Sequence, residues 1–312
     1  MSWIFVFFFL SGFCSILYEV IWLRLSMAQF GVTSALVSIV LSIFMAGLGL
    51  GSWGSGYAIK KYGGEIKTSA LRIYALAELL IGISALVVPY QLLLGRKLLG
   101  QTAVSSSAAY YLVSGAWVAL TLIPWCACMG ATIPIGMWAI RKSFSSGTQR
   151  SFSFLYLANV LGAVAGAAVP PLLVEIYGFR GTLRVGAILN GLLFLSAMVL
   201  SARLSHVEEG SEGVYGVAST SVENLAPASH ADSRRVLLLL FTTGLTSMGA
   251  EVVWIRLFTP YLGTVVYAFA LILGVYLAST FVGSKIYRYW SRHGGKEGTL
   301  VWAASDSPRC CP

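Results

Sequence analysis

Ser11 to Leu25 reads SGFCSILYEVIWLRL, and Thr243 to Leu257 reads TGLTSMGAEVVWIRL. Gly12, Ser15, Glu19, Val20, Trp22, Arg24 and Leu25 recur as Gly244, Ser247, Glu251, Val252, Trp254, Arg256 and Leu257, a shift of 232 positions. The same shift carries Gly31 onto Gly263, Ala46 onto Ala278 and Gly51-Ser52 onto Gly283-Ser284 without a gap. The copy therefore spans two apolar segments and the turn between them, which is an internal repeat. Both copies set a glutamate inside an apolar run, where a carboxylate is expensive and marks a functional site by default.

Composition decides the broad class. Hydrophobic residues make up 57% of the 312 and charged residues only 11%, with a mean hydropathy of +0.79, whereas soluble domains carry about 25% charged residues. The chain reads as an all-α integral membrane protein. Its net charge of +9 would suggest nucleic acid in a soluble protein, but the basic residues cluster between apolar runs, as in cytoplasmic loops. No basic patch interleaved with aromatics suggests RNA or DNA. The N-terminal MSWIFVFFFL lacks a basic n-region and a small-residue cleavage pattern, so it reads as a retained first span. Cys14, Cys126 and Cys128 lie in apolar segments and Cys310-Cys311 at the tail; this fits neither a disulfide framework nor a zinc site.

A span needs about 20 apolar residues to cross a hydrocarbon core about 30 Å thick. Eight runs qualify, near 3-25, 31-58, 70-94, 109-140, 152-176, 183-203, 234-258 and 263-287. Pro124 and Pro134 bracket CACMGAT in the fourth, which predicts a kinked or broken helix; Pro170-Pro171 predict a bend near the end of the fifth. Gly47, Gly49, Gly51, Gly54 and Gly56 crowd span two, and Gly162 and Gly166 lie in span five. Small residues at such spacings let helix backbones approach closely.

Orientation follows from the basic residues. Lys60, Lys61, Lys67 and Arg72 follow span two, Arg141, Lys142 and Arg150 follow span four, and Lys285, Arg288, Arg292 and Lys296 follow span eight. The alternate loops carry far fewer. The positive-inside rule then places both termini in the cytoplasm, the chain being read as integral to the plasma membrane. Six crossings separate spans one and seven, so the two copies run in the same direction, related by an axis along the membrane normal.

The expected organisation is a six-helix membrane half over 1-203, a disordered cytoplasmic linker over 204-233 rich in Ser, Gly, Ala and Glu, the two-helix start of a second repeat over 234-290, and a cytoplasmic tail over 291-312. The ending TLVWAASDSPRCCP begins as an apolar segment and turns polar, the pattern of a truncated or frame-shifted chain; a deliberately short protein is the other reading.

SGFCSILYEVIWLRL followed by MAGLGLGSW, LRIYALAELLIGI, MGATIPIG and LYLANVLGAVAGAAVPPLLVEIYGFRGT, with Asn190 downstream, resembles the membrane domain of the bacterial fused spermidine synthase/major-facilitator-like proteins. The resemblance covers about residues 1-290. It implies a major-facilitator-like parallel repeat, and in the family a soluble aminopropyltransferase-like domain that would use decarboxylated S-adenosylmethionine and a polyamine. This sequence departs there. Gly63-Gly64-Glu65 and Gly294-Gly295-Lys296 read as loop punctuation, and no strand, glycine-rich turn and acidic residue of the Rossmann type lies outside the spans.

Glu19 sits about 15 residues into span one, roughly 23 Å along the helix, which puts Trp22 and Arg24 at the outer interface. An aromatic belt with snorkelling arginines is the simplest reading of Trp22, Arg24, Trp254 and Arg256. Glu19 and Glu251 lie too deep for that and must be neutral, paired or facing a wet cavity. Arg24 lies about 140° around the helix from Glu19, so partners have to come from other helices; the repeat allows Glu19 with Arg256 and Glu251 with Arg24. Glu78 in span three is a third intramembrane carboxylate, and Asn159 and Asn190 are expected to hydrogen-bond between helices. Glu175 is expected near an interface.

Three functions compete. One is a non-catalytic membrane module that anchors or assists an aminopropyltransferase-like partner or a larger membrane complex. Another is a transporter-like half that binds a small cationic solute, such as a polyamine, at the intramembrane carboxylates. An enzyme is the least supported: His206, His230 and His293 lie outside the spans without a nucleophile-base pair or a metal constellation, so no cofactor and no metal is expected.

Overall fold

A computed structural model describes residues 2-63, 69-100, 106-143, 148-209 and 230-292. Among the described residues the chain forms seven helices: α1 (Ser2–Phe30), α2 (Ser34–Tyr62), α3 (Ala70–Gly100), α4 (Ser107–Ser143), α5 (Thr148–Glu209), α6 (His230–Leu262) and α7 (Val265–Arg292). All seven are long and apolar enough to cross a membrane, and the chain is an integral membrane protein of the all-α class. In lipid every backbone polar group needs an internal partner, which continuous helices supply.

The count differs from the eight expected spans because the fifth and sixth form one helix, α5, of 62 residues. A straight helix of that length would measure about 93 Å, three times the hydrocarbon thickness. It breaks at Gly178, whose φ of 67° and ψ of 176° lie outside the helical region. Contacts show what the break does. Phe5 meets Phe154 at 5.1 Å between ring centroids, and Gly162 and Gly166 lie under Phe9 and Phe13, so the first arm ascends alongside α1. Phe8 stacks with Tyr74 at 6.3 Å, which sets α1 and α3 level. The second arm runs the other way: Ala197 packs with Tyr74 and Ala75 early in α3, and Asn190 meets Gly82 further along it. A left-handed glycine with no side chain to clash makes the reversal possible.

Pro124 and Pro134 both lie within a continuous α4, and α5 continues past Pro170 and Pro171. His206 and His230 fall inside the bounds of α5 and α6 rather than in loops. Of the expected linker, 210-229 lies outside the described residues, as does the tail from 293, with Lys296, Cys310 and Cys311.

The repeat is visible in the two turns. Gly31 between α1 and α2 has φ 112°, and its counterpart Gly263 between α6 and α7 has φ 75°. Thr33 Oγ1 then accepts from the Leu36 amide at 3.3 Å and Thr264 Oγ1 from the Tyr267 amide at 3.3 Å, capping α2 and α7. The second turn is one residue tighter. Nothing lies within 4 Å of a Cβ built on either glycine, so Gly31→Ala and Gly263→Ala should each cost only the left-handed backbone penalty, about 1–2 kcal/mol. Thermal unfolding in detergent measures it; an unchanged midpoint for both would show that the turns are not left-handed.

Around these turns the two copies are packed very differently. α1 is the centre of the core, with Leu17, Tyr18, Ile21 and Trp22 fully buried against Leu36 and Phe44 of α2 and Phe269 of α7. Its most extensive contacts are with α5, and it touches α2, α4 and α7 only sparsely. α6 is peripheral: 6% of its spanning window is buried, against 67% for α1. Thr242, Thr243 and Thr246 on α6 donate to carbonyls one turn back, which satisfies the hydroxyls of this peripheral helix internally.

Candidate intramembrane polar site

Two buried carboxylate centres lie on α1 and its neighbours, and they differ in how they are satisfied. Glu78 on α3 is fully buried. Its Oε2 accepts from Asn190 Nδ2 at 2.6 Å, and Asn190 Oδ1 accepts from the Tyr18 hydroxyl at 2.7 Å. This chain fixes the orientation of the Asn190 amide, since only one placement gives both neighbours a suitable partner. Ser11 and Tyr74 bring hydroxyls close to the same carboxylate, yet Glu78 Oε1 and the Tyr74 hydroxyl do not reach hydrogen-bond geometry. Tyr18 is held by its own packing: it stacks on Trp22 at 5.5 Å, and Gly186 leaves room for its ring. The network ties α1, α3 and the second arm of α5 together.

Glu19 is the opposite case. It is 2% exposed, and both of its carboxylate oxygens lack a partner on the protein. Glu251 on α6 and Cys126 on α4 are ionisable groups within electrostatic range of it. Glu251 is buried, and its Oε1 is also unpartnered. Among the described residues no arginine reaches either of them; Arg24 instead lies 5.8 Å from the centroid of the Phe179 ring. Beside it is a cavity of about 110 Å³ bounded also by Pro171, Thr264 and Tyr267. Arg256 is exposed and lines a groove of about 380 Å³ between the start of α2 and α6.

Further along α1 three more polar atoms have no partner: Trp22 Nε1, Ser26 Oγ and Gln29 Oε1. A buried polar group left unpaired costs about 1–3 kcal/mol, so such a row is not neutral for stability. Trp22 is fully buried and packs its edge on Phe44 at 6.4 Å, so it does not belong to the aromatic belt expected from sequence. Trp254, its copy, is half-exposed and does suit a belt position. Two identical motifs thus take an interior and a peripheral role.

The remaining expected residues separate. Asn159 is half-buried, and its backbone and side-chain oxygens press on Gly12, where a Cβ would lie 2.9 Å from Oδ1; it joins neither carboxylate centre. Glu175 is exposed and accepts from the Tyr267 hydroxyl at 3.2 Å. Tyr18, Ser26, Gln29 and Tyr74 escape a reading that looks only for charges. The spacing 19, 22, 26, 29 on one helix was the available signal for part of them. Among the described residues no group of three or more His, Cys, Asp or Glu gathers as metal ligands.

Comparison with known proteins finds no family model, no curated protein and no solved structure that matches this chain.

Proposed function

We propose that the chain is a non-catalytic multi-span membrane module of the spermidine-synthase-like membrane proteins, anchoring or assisting an aminopropyltransferase-like partner or a larger membrane assembly. In this reading residues 1-203 are one half, 234-290 open a parallel, major-facilitator-like second half, and both termini face the cytoplasm across the inner membrane. The matching left-handed turns at Gly31 and Gly263 support the repeat. Copurification from the native membrane with identification of the accompanying proteins tests it. Saturable binding of an S-adenosylmethionine derivative to the isolated chain, or aminopropyl transfer by it, would sink the non-catalytic reading.

A second reading is favoured by one observation: two buried glutamates, Glu19 and Glu251, hold three carboxylate oxygens that have no partner on the protein. Two buried carboxylates without a cation between them repel, and a small cationic solute such as a polyamine is the ligand that such a pair would take. Glu78 is left out of this reading because one of its carboxylate oxygens is already held by Asn190. Glu19→Gln should then leave the melting temperature in detergent unchanged or raised, since no protein partner is lost, while abolishing any stabilisation by added spermidine. A marked fall in melting temperature without spermidine would mean that Glu19 has a structural partner.

A further inference from the structure

Glu19, Trp22, Ser26 and Gln29 follow one another at spacings of three, four and three, which places them within about 80° of the α1 surface over about 15 Å of helix. Each carries a polar atom without a partner on the protein, and Glu19, Trp22 and Ser26 are almost wholly buried. Elsewhere in this protein serine and threonine hydroxyls satisfy themselves on the carbonyl one turn back, as Ser15, Ser38, Ser114 and Ser279 do. Ser26 does not, although Trp22 supplies that carbonyl. The face lies towards α2 and α4, where Trp22 packs its edge on Phe44 of α2 and the backbone of α1 approaches those of both helices at few points. Gln29, at the open end, is half-buried and stands two residues before Gly31.

A run of buried donors and acceptors on one helix face is stable when water bridges it, because a polar site with several partners holds water where an apolar cavity stays dry. We propose that the Glu19–Trp22–Ser26–Gln29 face of α1 is a hydrated path that joins the Glu19–Glu251 pair to the membrane side on which α1 ends. It deepens the cation-binding reading, on which it rests, by giving the carboxylates access from one side. The second copy has no such path, since Ser26 and Gln29 correspond to Phe258 and Tyr261. The route is therefore one-sided and belongs to α1.

Cysteine accessibility in proteoliposomes of the full chain tests this. Ser26→Cys and Gln29→Cys are probes on the face, and Met27→Cys, buried on α1 but off it, is the comparison; the unsubstituted chain sets the background of its native thiols. The probes are a membrane-impermeant cationic methanethiosulfonate and a neutral one of similar size. Expected is reaction at Ser26→Cys and Gln29→Cys far faster than at Met27→Cys, and only from the side where α1 ends. A carboxylate within reach should favour the cationic reagent about five-fold or more, and Glu19→Gln should remove that preference without slowing the neutral reagent. No reaction at either face position, or equal reaction from both sides, overturns the path. Reaction of both reagents at equal rates leaves the path standing and removes the cation-binding reading.

Discussion

Asn190→Leu should produce the largest loss of stability of any single polar substitution in this protein. Asn190 stands between two buried groups: it donates to Glu78 Oε2 at 2.6 Å and accepts from the Tyr18 hydroxyl at 2.7 Å. Leucine fills the space but leaves both without a partner. Each orphaned buried group costs about 1–3 kcal/mol, more where it is charged, so a combined loss of about 2–6 kcal/mol follows. Neighbours in one network do not add independently. Glu78→Leu combined with Asn190→Leu should accordingly cost less than the sum of the two single changes, because the carboxylate that suffered from the missing amide is gone. Tyr18→Phe should cost less than Asn190→Leu, since it removes one hydroxyl and keeps the ring stacked on Trp22. Thermal unfolding of the four variants in one detergent measures these differences. An Asn190→Leu midpoint within error of the parent would mean that the bonds from Tyr18 through Asn190 to Glu78 do not exist in the bilayer protein.

Gly51→Leu and Gly130→Leu should each disrupt the packing of α2 on α4, where Gly49→Leu should not. A Cβ on Gly51 falls on the backbone carbonyl of Ala127, and one on Gly130 falls on that of Leu48, so the two helices meet backbone to backbone at both points. Backbone cannot rotate out of the way as a side chain can. Overpacking a well-filled site costs about 1–3 kcal/mol, occasionally more, and rigid neighbours put these two at the upper end. Gly49 has nothing within 4 Å of its Cβ position. Gly49→Ala should even stabilise slightly, by about 0.5–1 kcal/mol, because alanine is the better helix former. Size-exclusion behaviour and melting temperature in detergent read the contrast; equal tolerance at positions 49 and 51 would contradict the close α2–α4 contact.

The glycine-rich face of span two illustrates what can be read before folding and what cannot. Small residues at these spacings announce helix contact, but the sequence does not say which of Gly47, Gly49, Gly51, Gly54 and Gly56 are used. Gly47 and Gly51 touch α4, while Gly49 and Gly56 lie on the opposite side of the helix and face open space; Gly54 lies on the side of Gly47 and is open as well, so rotation alone does not select the contacts.

Membrane spans are legible in the sequence because they depend on a local quantity, the length of an apolar run against the thickness of the bilayer. The repeat is legible for the same reason: Gly31 and Gly263 need no distant partner to adopt their left-handed turns. Glu19 and Glu251 could be marked as costly from their surroundings in the chain alone. Their relation to one another could not, and neither could the bond between Glu78 and Asn190, which are 112 residues apart. The sequence treats Trp22 and Trp254 as equals; one is fully buried and the other half-exposed, because α1 has helices on most sides and α6 lies at the edge of the bundle. The reversal at Gly178 falls in the gap between the expected spans 152-176 and 183-203; what the sequence did not show is that helix runs up to this one glycine from both sides. Apolar pattern and local propensity fix that a segment becomes a helix, whereas which face turns inward, and which polar atoms find partners there, depends on neighbouring helices distant in sequence.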